Sequence, residues 1–251
     1  MQFDDNLMIG PVVPGGISRT GLQAGNDTAG SSPQYRGVGP LGRNYVYDIV
    51  PLALGTANIA ALQTTAGAGN LTLTAGTGVT AVVVNGQTRY QFDVPRAVSL
   101  TSAGNISAVN FTISGYDVYG QAMTQTLAGP NANTVTTLKA FYQVTSIAVS
   151  AAVGTNTSAG TSDRFGLPII VSDRGYVDRT GWNNTLAADA GTLTPADATS
   201  PATAATGDVR GTYTPTSASD GVKRLIVEVL LASTAVGPTA TRVGAFGVTQ
   251  V

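Results

Sequence analysis

The chain has 251 residues, of which 43% are hydrophobic and only 11% are charged, and its formal net charge is −1. It contains neither cysteine nor histidine, which excludes disulfides, thiolate chemistry and a Cys/His zinc site. Its only lysines are Lys139 and Lys223 and it has no basic patch, so nucleic acid is not an expected partner.

Residues 1–48 are predicted to form a long extended N-terminal arm. Gly10–Gly16 and Gly37–Gly42 are rich in glycine and proline, and the segment has little periodicity. Aromatic and arginine side chains are enriched at interface hot spots, so we expect the arm to contact another subunit through such residues. These candidate contacts are Tyr35, Arg36, Arg43, Tyr45 and Tyr47. A floppy terminus is the alternative.

Residues 49–251 are predicted to form a β-rich domain, because threonine and valine are abundant and few helix-forming residues are present. Residues 59–63 could form one or two helical turns. Val79–Val84 and Gln87–Val94 flank Asn85-Gly86, a pair typical of a type I′ hairpin turn. A second hairpin is predicted from Val109–Tyr116 and Gln121–Leu127, which alternate apolar and polar residues around a turn at 117–120.

The C-terminal half continues the β pattern. Phe141–Val153 is a long β-prone stretch, and its alternation does not decide which of its two faces is buried. Ile169–Val171 is a short apolar run. Residues 183–206 indicate long loops, residues 208–215 a short strand, and Val222–Leu231 a mostly apolar, central strand. Strands at this spacing favour an antiparallel sandwich or jelly-roll-like barrel with few or no helices, with a possible subdivision near 160–175.

Catalysis has few residues available. Asp173 and Asp178 flank Arg174 and Arg179 in the densest charge cluster of the chain. Local ion pairs within a loop explain this cluster. The alternatives are a contact with another subunit and a catalytic pair of carboxylates. The sequence has no G-x-S-x-G elbow, P-loop, dinucleotide fingerprint or EF-hand spacing. We therefore expect no enzyme activity, no cofactor and no metal site.

The sequence also indicates where the protein acts. The start of the chain has no basic region followed by an apolar one, and the apolar run Leu225–Ala232 is too short to span a bilayer. A surface with few charges is easier to bury against other subunits, because fewer ions must be desolvated. We expect a protein that is made in the cytoplasm, stays soluble until it assembles, and has no membrane partner.

One part of the chain resembles tailed-phage virion proteins. Residues 115–127 match a G-x-D-x-x-G-x-x-x-T-x-T hairpin pattern, which is followed in order by residues 129–131, 139–141, 144–147, 161–168 and 207–213. Together these pieces span roughly residues 105–215, a little under half of the chain. The pattern is similar to that of head decoration, cement and head-fibre-like proteins. The resemblance implies a β-rich, often trimeric protein on the capsid exterior, and it carries no active-site residues.

The resulting hypothesis is a non-enzymatic virion protein that binds the outer face of a phage capsid and bridges its subunits. Its expected partners are the major capsid protein and itself, as a homotrimer, with Arg174 and Arg179 joining the arm residues as candidate contacts. The arm of such a protein could also add a strand to a neighbouring subunit through main-chain hydrogen bonds.

Three alternatives stay open. A tail or head-fibre component would bind host glycan, with Trp182 and Tyr176 as the suggestive aromatic pair. The major shell subunit would need a long spine helix, for which no periodic segment is present. A polysaccharide-degrading enzyme would use Asp173 or Asp178.

Overall fold

The computed structural model describes residues 42–171, 177–183, 190–197 and 207–232, and these residues form strands and loops with no helix. The predicted all-β fold is therefore confirmed for this part of the chain. No helix in these ranges is long and apolar enough to cross a membrane. The strands are β1 (Gly42–Ile49), β2 (Ala60–Thr65), β3 (Gly69–Asn70), β4 (Val79–Val84), β5 (Gln87–Ser102), β6 (Asn110–Tyr116), β7 (Ala122–Ala128), β8 (Thr134–Val149), β9 (Val153–Gly166), β10 (Val177–Trp182), β11 (Thr192–Thr194), β12 (Thr212–Thr214) and β13 (Leu225–Ala232).

A ten-stranded antiparallel sheet forms most of the molecule. Its strands run in the order β11-β12-β9-β5-β8-β6-β7, while β2, β3 and β4 pair with β9, β8 and β5 outside that path. The strands β5 and β8 each have 16 residues, and the pairing between them shifts register twice. Because each irregularity bends a strand and adds twist, these long strands curl the sheet around its core.

Both predicted hairpins are confirmed. Val84 pairs with Gln87 across Asn85 and Gly86, whose φ angles of 51° and 77° are those that a type I′ turn requires. Strands β6 and β7 pair from Asn110–Ala128 to Tyr116–Ala122 around the predicted turn.

A smaller antiparallel sheet has the order β1-β13-β10. The predicted central strand is β13, and Leu225, Ile226, Val227 and Val229 in it are buried. The small sheet packs against one end of the large one, where Val94 and Phe165 from the large sheet share a core with Val227 and Trp182. A larger core fills the curl of the ten-stranded sheet and contains Leu100, Ile113, Phe141 and Ile147.

Three expectations about elements need correction. Residues 42–48, assigned to the arm, instead form most of β1. The alternating residues Tyr45, Tyr47 and Ile49 of this strand pack on the small-sheet core. Residues 60–63 belong to β2 and not to a helical turn, since they pair with β9. The predicted loop zone 183–206 contains the short strand β11, while the apolar run 169–171 is buried as expected of such a run. Residues 1–41 lie outside the described residues.

The open face assignment of residues 141–153 has a structural cause. Ser114 pairs with Ser146 while Gly115 pairs with Val144, so β8 carries one extra residue at this point. The irregularity brings Val144 into the same buried core as Ile147 and Val149, which strict alternation would separate.

Candidate binding surface and the joint behind it

A buried ion pair connects the β6–β7 turn to the loop before β12. Asp117 closes the turn, because its Oδ1 accepts hydrogen bonds from the backbone N–H groups of Tyr119 and Gln121, both at 2.8 Å. Its Oδ2 accepts a hydrogen bond from Nη2 of Arg210 at 2.7 Å, and both side chains are almost fully buried. One carboxylate therefore shapes a local turn and also holds a residue 93 positions away in the chain.

Further contacts extend this pair. The Arg210 guanidinium lies 5.0 Å from the centre of the Tyr119 ring, and the Tyr119 hydroxyl donates to the Pro168 carbonyl at 2.6 Å. Asp208 accepts hydrogen bonds from the backbone N–H groups of Ala140 and Arg210 at 3.0 and 2.9 Å. We call Asp117, Tyr119, Asp208 and Arg210 the Arg210 cluster. It ties β6–β7, β8 and the loop before β12 together.

Lys139 lies beside this cluster and is fully buried. Burial lowers the pKa of its ammonium group, and the negative charges of Asp208 and Asp197 partly oppose that effect. Burying an ammonium group costs free energy, and the two aspartates oppose that cost.

A second group of charges connects the two sheets. Arg96 is 1% exposed, and its Nη1 lies 3.6 Å from Asp93 Oδ1 while its Nη2 lies 3.8 Å from Asp163 Oδ1. Nη2 of Arg96 also donates to the Leu52 carbonyl at 3.0 Å, and the Leu52 N–H donates to Asp93 Oδ2 at 2.7 Å. Desolvation lowers the pKa of Arg96, and Asp93 and Asp163 counteract it.

The same group also holds the segment that leads into β13. The backbone N–H of Ser219 donates to Asp163 Oδ2 at 2.8 Å, and its hydroxyl donates to Asp163 Oδ1 at 2.6 Å. We call Asp93, Arg96, Asp163 and Ser219 the Arg96 cluster. It fastens the residues after β1 and before β13 to the large sheet. The Arg96 cluster is thus suited to holding the small sheet against the large one, whereas the Arg210 cluster fixes the β6–β7 turn and the loop before β12 within the large sheet.

The exterior, in contrast, has very little charge. Among the charged side chains that the structure describes, only Asp48, Asp220 and Arg224 are classed as exposed, and the Lys223 side chain is 42% exposed. These four residues form two ion pairs, Asp48–Arg224 and Asp220–Lys223. Their charges cancel within each pair, and every other exposed residue whose side chain the structure describes is uncharged.

Apolar side chains add to this exterior. Val46 and Val50 are 59% and 50% exposed, and Leu54 follows them along the chain at 44%. Val46 belongs to β1, which has no strand on its outer side within the described residues. We call Val46, Val50 and Leu54 the outer apolar row. An edge strand with exposed apolar groups is a common place for another chain to bind.

The structure places the predicted contact residues in different settings. Tyr45 and Tyr47 lie in β1 and pack on the small-sheet core, so they support the sheet from inside. Arg179 lies half-buried in β10, directly opposite Glu228 of β13. Arg43 lies in β1, but its side chain is outside the described part of the structure. Tyr35, Arg36 and Arg174 lie outside the described residues altogether.

The residues of the alternative functions are less favourably placed. Trp182 is only 5% exposed and packs in the small-sheet core, so its ring face is not available to a glycan. Tyr176 and Asp173 lie outside the described residues, as does the side chain of Asp178. Within the described ranges, no three acidic side chains are grouped closely enough to hold a metal ion.

Sequence reasoning missed the two buried clusters. A signal was present, because Asp93, Arg96, Asp117 and Arg210 are isolated charges in β-prone, otherwise uncharged segments. Such charges are buried only with partners, and except for Asp93 and Arg96, which are three positions apart, these partners are distant in the chain. The pieces that carry the resemblance to phage proteins include Asp117, Lys139, Asp208 and Arg210, which lie in or beside the Arg210 cluster, and Asp163, which belongs to the Arg96 cluster.

In comparisons with known proteins, no protein-family model, no curated protein and no solved structure matches the chain.

Proposed function

We propose that this protein is a structural component of a tailed-phage virion, which binds the outer face of the capsid and bridges neighbouring capsid subunits. The observation that carries the proposal is the small number of exposed charged side chains on this β domain, all of which lie in two ion pairs. Such an exterior can be covered by another protein with little cost in ion desolvation.

The buried charges support the same proposal. The ion pairs of the Arg96 and Arg210 clusters are buried, where they fasten strands and loops to one another, and shape and apolar contact are left for the outside. A protein that reinforces a shell needs a domain that does not deform when neighbouring subunits move apart. Many shallow contacts then act together, because each one raises the effective concentration for the next.

The decisive experiment adds the purified protein to phage shells that lack it and images the particles by electron microscopy. We expect ordered density on the capsid exterior and a higher resistance of the shells to heat or to chelating buffers. Shells that bind no protein and that are equally stable without it would contradict the proposal. A matched mass measurement in solution tests the expected homotrimer.

A further inference from the structure

Four polar side chains lie together on the outer face of the large sheet. Gln91 of β5 pairs with Gln143 of β8, which pairs in turn with Tyr116 of β6, and Arg89 lies on the same face two residues before Gln91. Val144, the next residue of β8, packs in the large core on the opposite face. We call Arg89, Gln91, Tyr116 and Gln143 the Arg89 group. All four are half-buried and face outward.

A chain of hydrogen bonds holds the Arg89 group in one arrangement. Nη1 of Arg89 donates to Gln143 Oε1 at 3.1 Å, and Nε2 of Gln143 donates to Gln91 Oε1 at 2.9 Å. The Arg89 guanidinium also lies 3.8 Å from the centre of the Tyr116 ring, which is a stacking contact. Both amide oxygens are therefore used as acceptors within the group.

The atoms that remain for a ligand are donors. Within the described residues, Nη2 of Arg89, Nε2 of Gln91 and the Tyr116 hydroxyl have no hydrogen-bond partner, and none of the three is a buried atom. These atoms are thus accessible from outside. A ligand that accepts hydrogen bonds would satisfy them, since an amide nitrogen and a guanidinium have no acceptor capacity.

Arg89 also lacks a counter-ion. No ion pair in the described part of the chain includes it, and the nearest aspartates in sequence, Asp93 and Asp117, are paired with Arg96 and Arg210. The Nε of Arg89 is buried and has no partner, so the guanidinium has lost part of its hydration. An anion at the accessible side would offset that loss through charge-assisted hydrogen bonds.

We propose that the Arg89 group binds a carboxylate, and that its source is an aspartate or glutamate side chain of the capsid subunit. The carboxylate oxygens would accept hydrogen bonds from Arg89 Nη2, Gln91 Nε2 and the Tyr116 hydroxyl. One positive charge matches a carboxylate, whereas a phosphate group carries about −1.5 to −2 and would need further cations. The source of the carboxylate rests on the proposed function, while the preference for a carboxylate does not.

The first test is an NMR titration of the full-length protein with N-acetylglutamate amide, whose only charge is its side-chain carboxylate. The neutral probe of the same shape is N-acetylglutamine amide. We expect saturable binding of the acid, and binding of the neutral probe that is weaker by about tenfold or more. Binding of the acid should be lost as the pH falls through about 4.3, where its carboxylate becomes protonated.

Variants locate the binding. Arg89→Gln removes the charge and should abolish binding of the acid. Lys223→Gln removes one positive charge from an exposed ion pair outside the group and should leave binding unchanged. Tyr116→Phe keeps the ring that stacks on Arg89 but removes one donor, so it should weaken binding several-fold with thermal stability nearly unchanged. It gives a second reading if Arg89→Gln fails to fold.

Four results would overturn the carboxylate site. These are equal binding of the acid and the neutral probe, no saturable binding of the acid, binding that persists in folded Arg89→Gln, and tighter binding of inorganic phosphate than of the acid.

The source of the carboxylate is tested separately, on shells and with glucuronate, a sugar that carries the same charged group. Arg89→Gln should bind shells several-fold more weakly than the wild-type protein, and Lys223→Gln should not. Equal shell binding by all three proteins, or tighter binding of glucuronate than of N-acetylglutamate amide, would contradict the capsid side chain alone. A wild-type protein that binds N-acetylglutamate amide but no shell would contradict the proposed function and would leave the carboxylate site standing.

Discussion

Arg96 and Arg210 are two of the most deeply buried side chains in a chain with few charges. The Arg96 guanidinium faces Asp93 of its own strand and Asp163 of β9, the Arg210 guanidinium faces Asp117, and each of these carboxylates also accepts hydrogen bonds from backbone N–H groups. The energetic value of such a pair lies less in its net attraction than in the cost of leaving one charge behind. At the scale of single residues, removing one partner should therefore have a large effect.

Asp117→Asn should destabilise the folded protein by about 3–5 kcal/mol, because it leaves the buried Arg210 guanidinium without its counter-ion. The amide can still accept the turn hydrogen bonds, so the loss reports on the ion pair. Chemical denaturation monitored by tryptophan fluorescence measures the change.

The matched control is Asp220→Asn, which changes an exposed aspartate that also accepts backbone hydrogen bonds. Its unfolding midpoint should stay close to that of the wild-type protein. Combining Asp117→Asn with Arg210→Met should cost less than the sum of the single changes, and strict additivity would argue against a direct coupling.

The exposed pair between Asp48 and Arg224 gives a pH prediction. The Arg224 hydrogen bonds lower the pKa of the Asp48 carboxyl below 3.8. A lowered folded-state pKa means that the pair contributes fully above pH 3.8 and that its contribution is lost as the pH falls through the lowered value.

In Asp48→Asn, the free energy of unfolding should consequently depend less steeply on pH below 3.8. The difference should be small, because solvent screens an exposed pair, and it should shrink further in concentrated salt. Denaturation curves across the acid range at two salt concentrations check this. A difference between the proteins that persists undiminished in high salt would point to a cause other than the ion pair.

Among the elements, β9 shows how closely the sheet is packed. A Cβ added at Gly160 would lie 1.7 Å from the Gly55 carbonyl oxygen, whose partner is the Thr161 N–H at 2.8 Å. Gly154, in the same strand, has no atom within 4 Å of the corresponding position. The two glycines therefore allow a comparison within one element.

Gly160→Ala should destabilise the protein by about 1–3 kcal/mol or more, since the added methyl group displaces backbone and not a flexible side chain. Gly154→Ala should be neutral or stabilise it by up to about 1 kcal/mol, because the unfolded chain loses entropy. Thermal unfolding of both variants measures the difference. Equal stability of the two would contradict the close contact between Gly160 and Gly55.

At the scale of the whole molecule, the main feature is the contrast between buried ion pairs and an exterior with few charged side chains. The ion pairs of the Arg96 and Arg210 clusters are buried, and the exposed charged side chains of the described residues belong to two pairs, Asp48–Arg224 and Asp220–Lys223. Binding through such an exterior depends on contact area and shape, and long-range electrostatic attraction contributes little.

Binding to phage shells should therefore change by less than about threefold when salt rises from about 0.05 M to about 0.5 M. The double variant Val46→Lys/Val50→Lys, which charges the outer apolar row, should weaken binding. Leu62→Lys, at another exposed apolar position, is the control. Co-sedimentation with shells measures all three. A steep loss of binding with salt would contradict an interface based on the uncharged exterior.

The sequence by itself determined the local features of this protein. The all-β class, the Asn85-Gly86 and Asp117–Gly120 turns and the central position of β13 follow from patterns of at most about ten neighbouring residues. The resemblance of residues 105–215 to phage proteins is likewise read from the sequence, and the function built on it stays a proposal.

Only the tertiary structure decided which distant residues meet. The extra residue in β8 brings Val144 into the same buried core as Ile147, which settles a face that the sequence left open, and Asp117 pairs with Arg210 across 93 positions. Tyr45 and Tyr47, predicted as contacts to another subunit, pack on the domain's own core because β1 pairs with β13. The physical reason is the same in each case: burial and pairing depend on long-range register, which short sequence patterns do not specify.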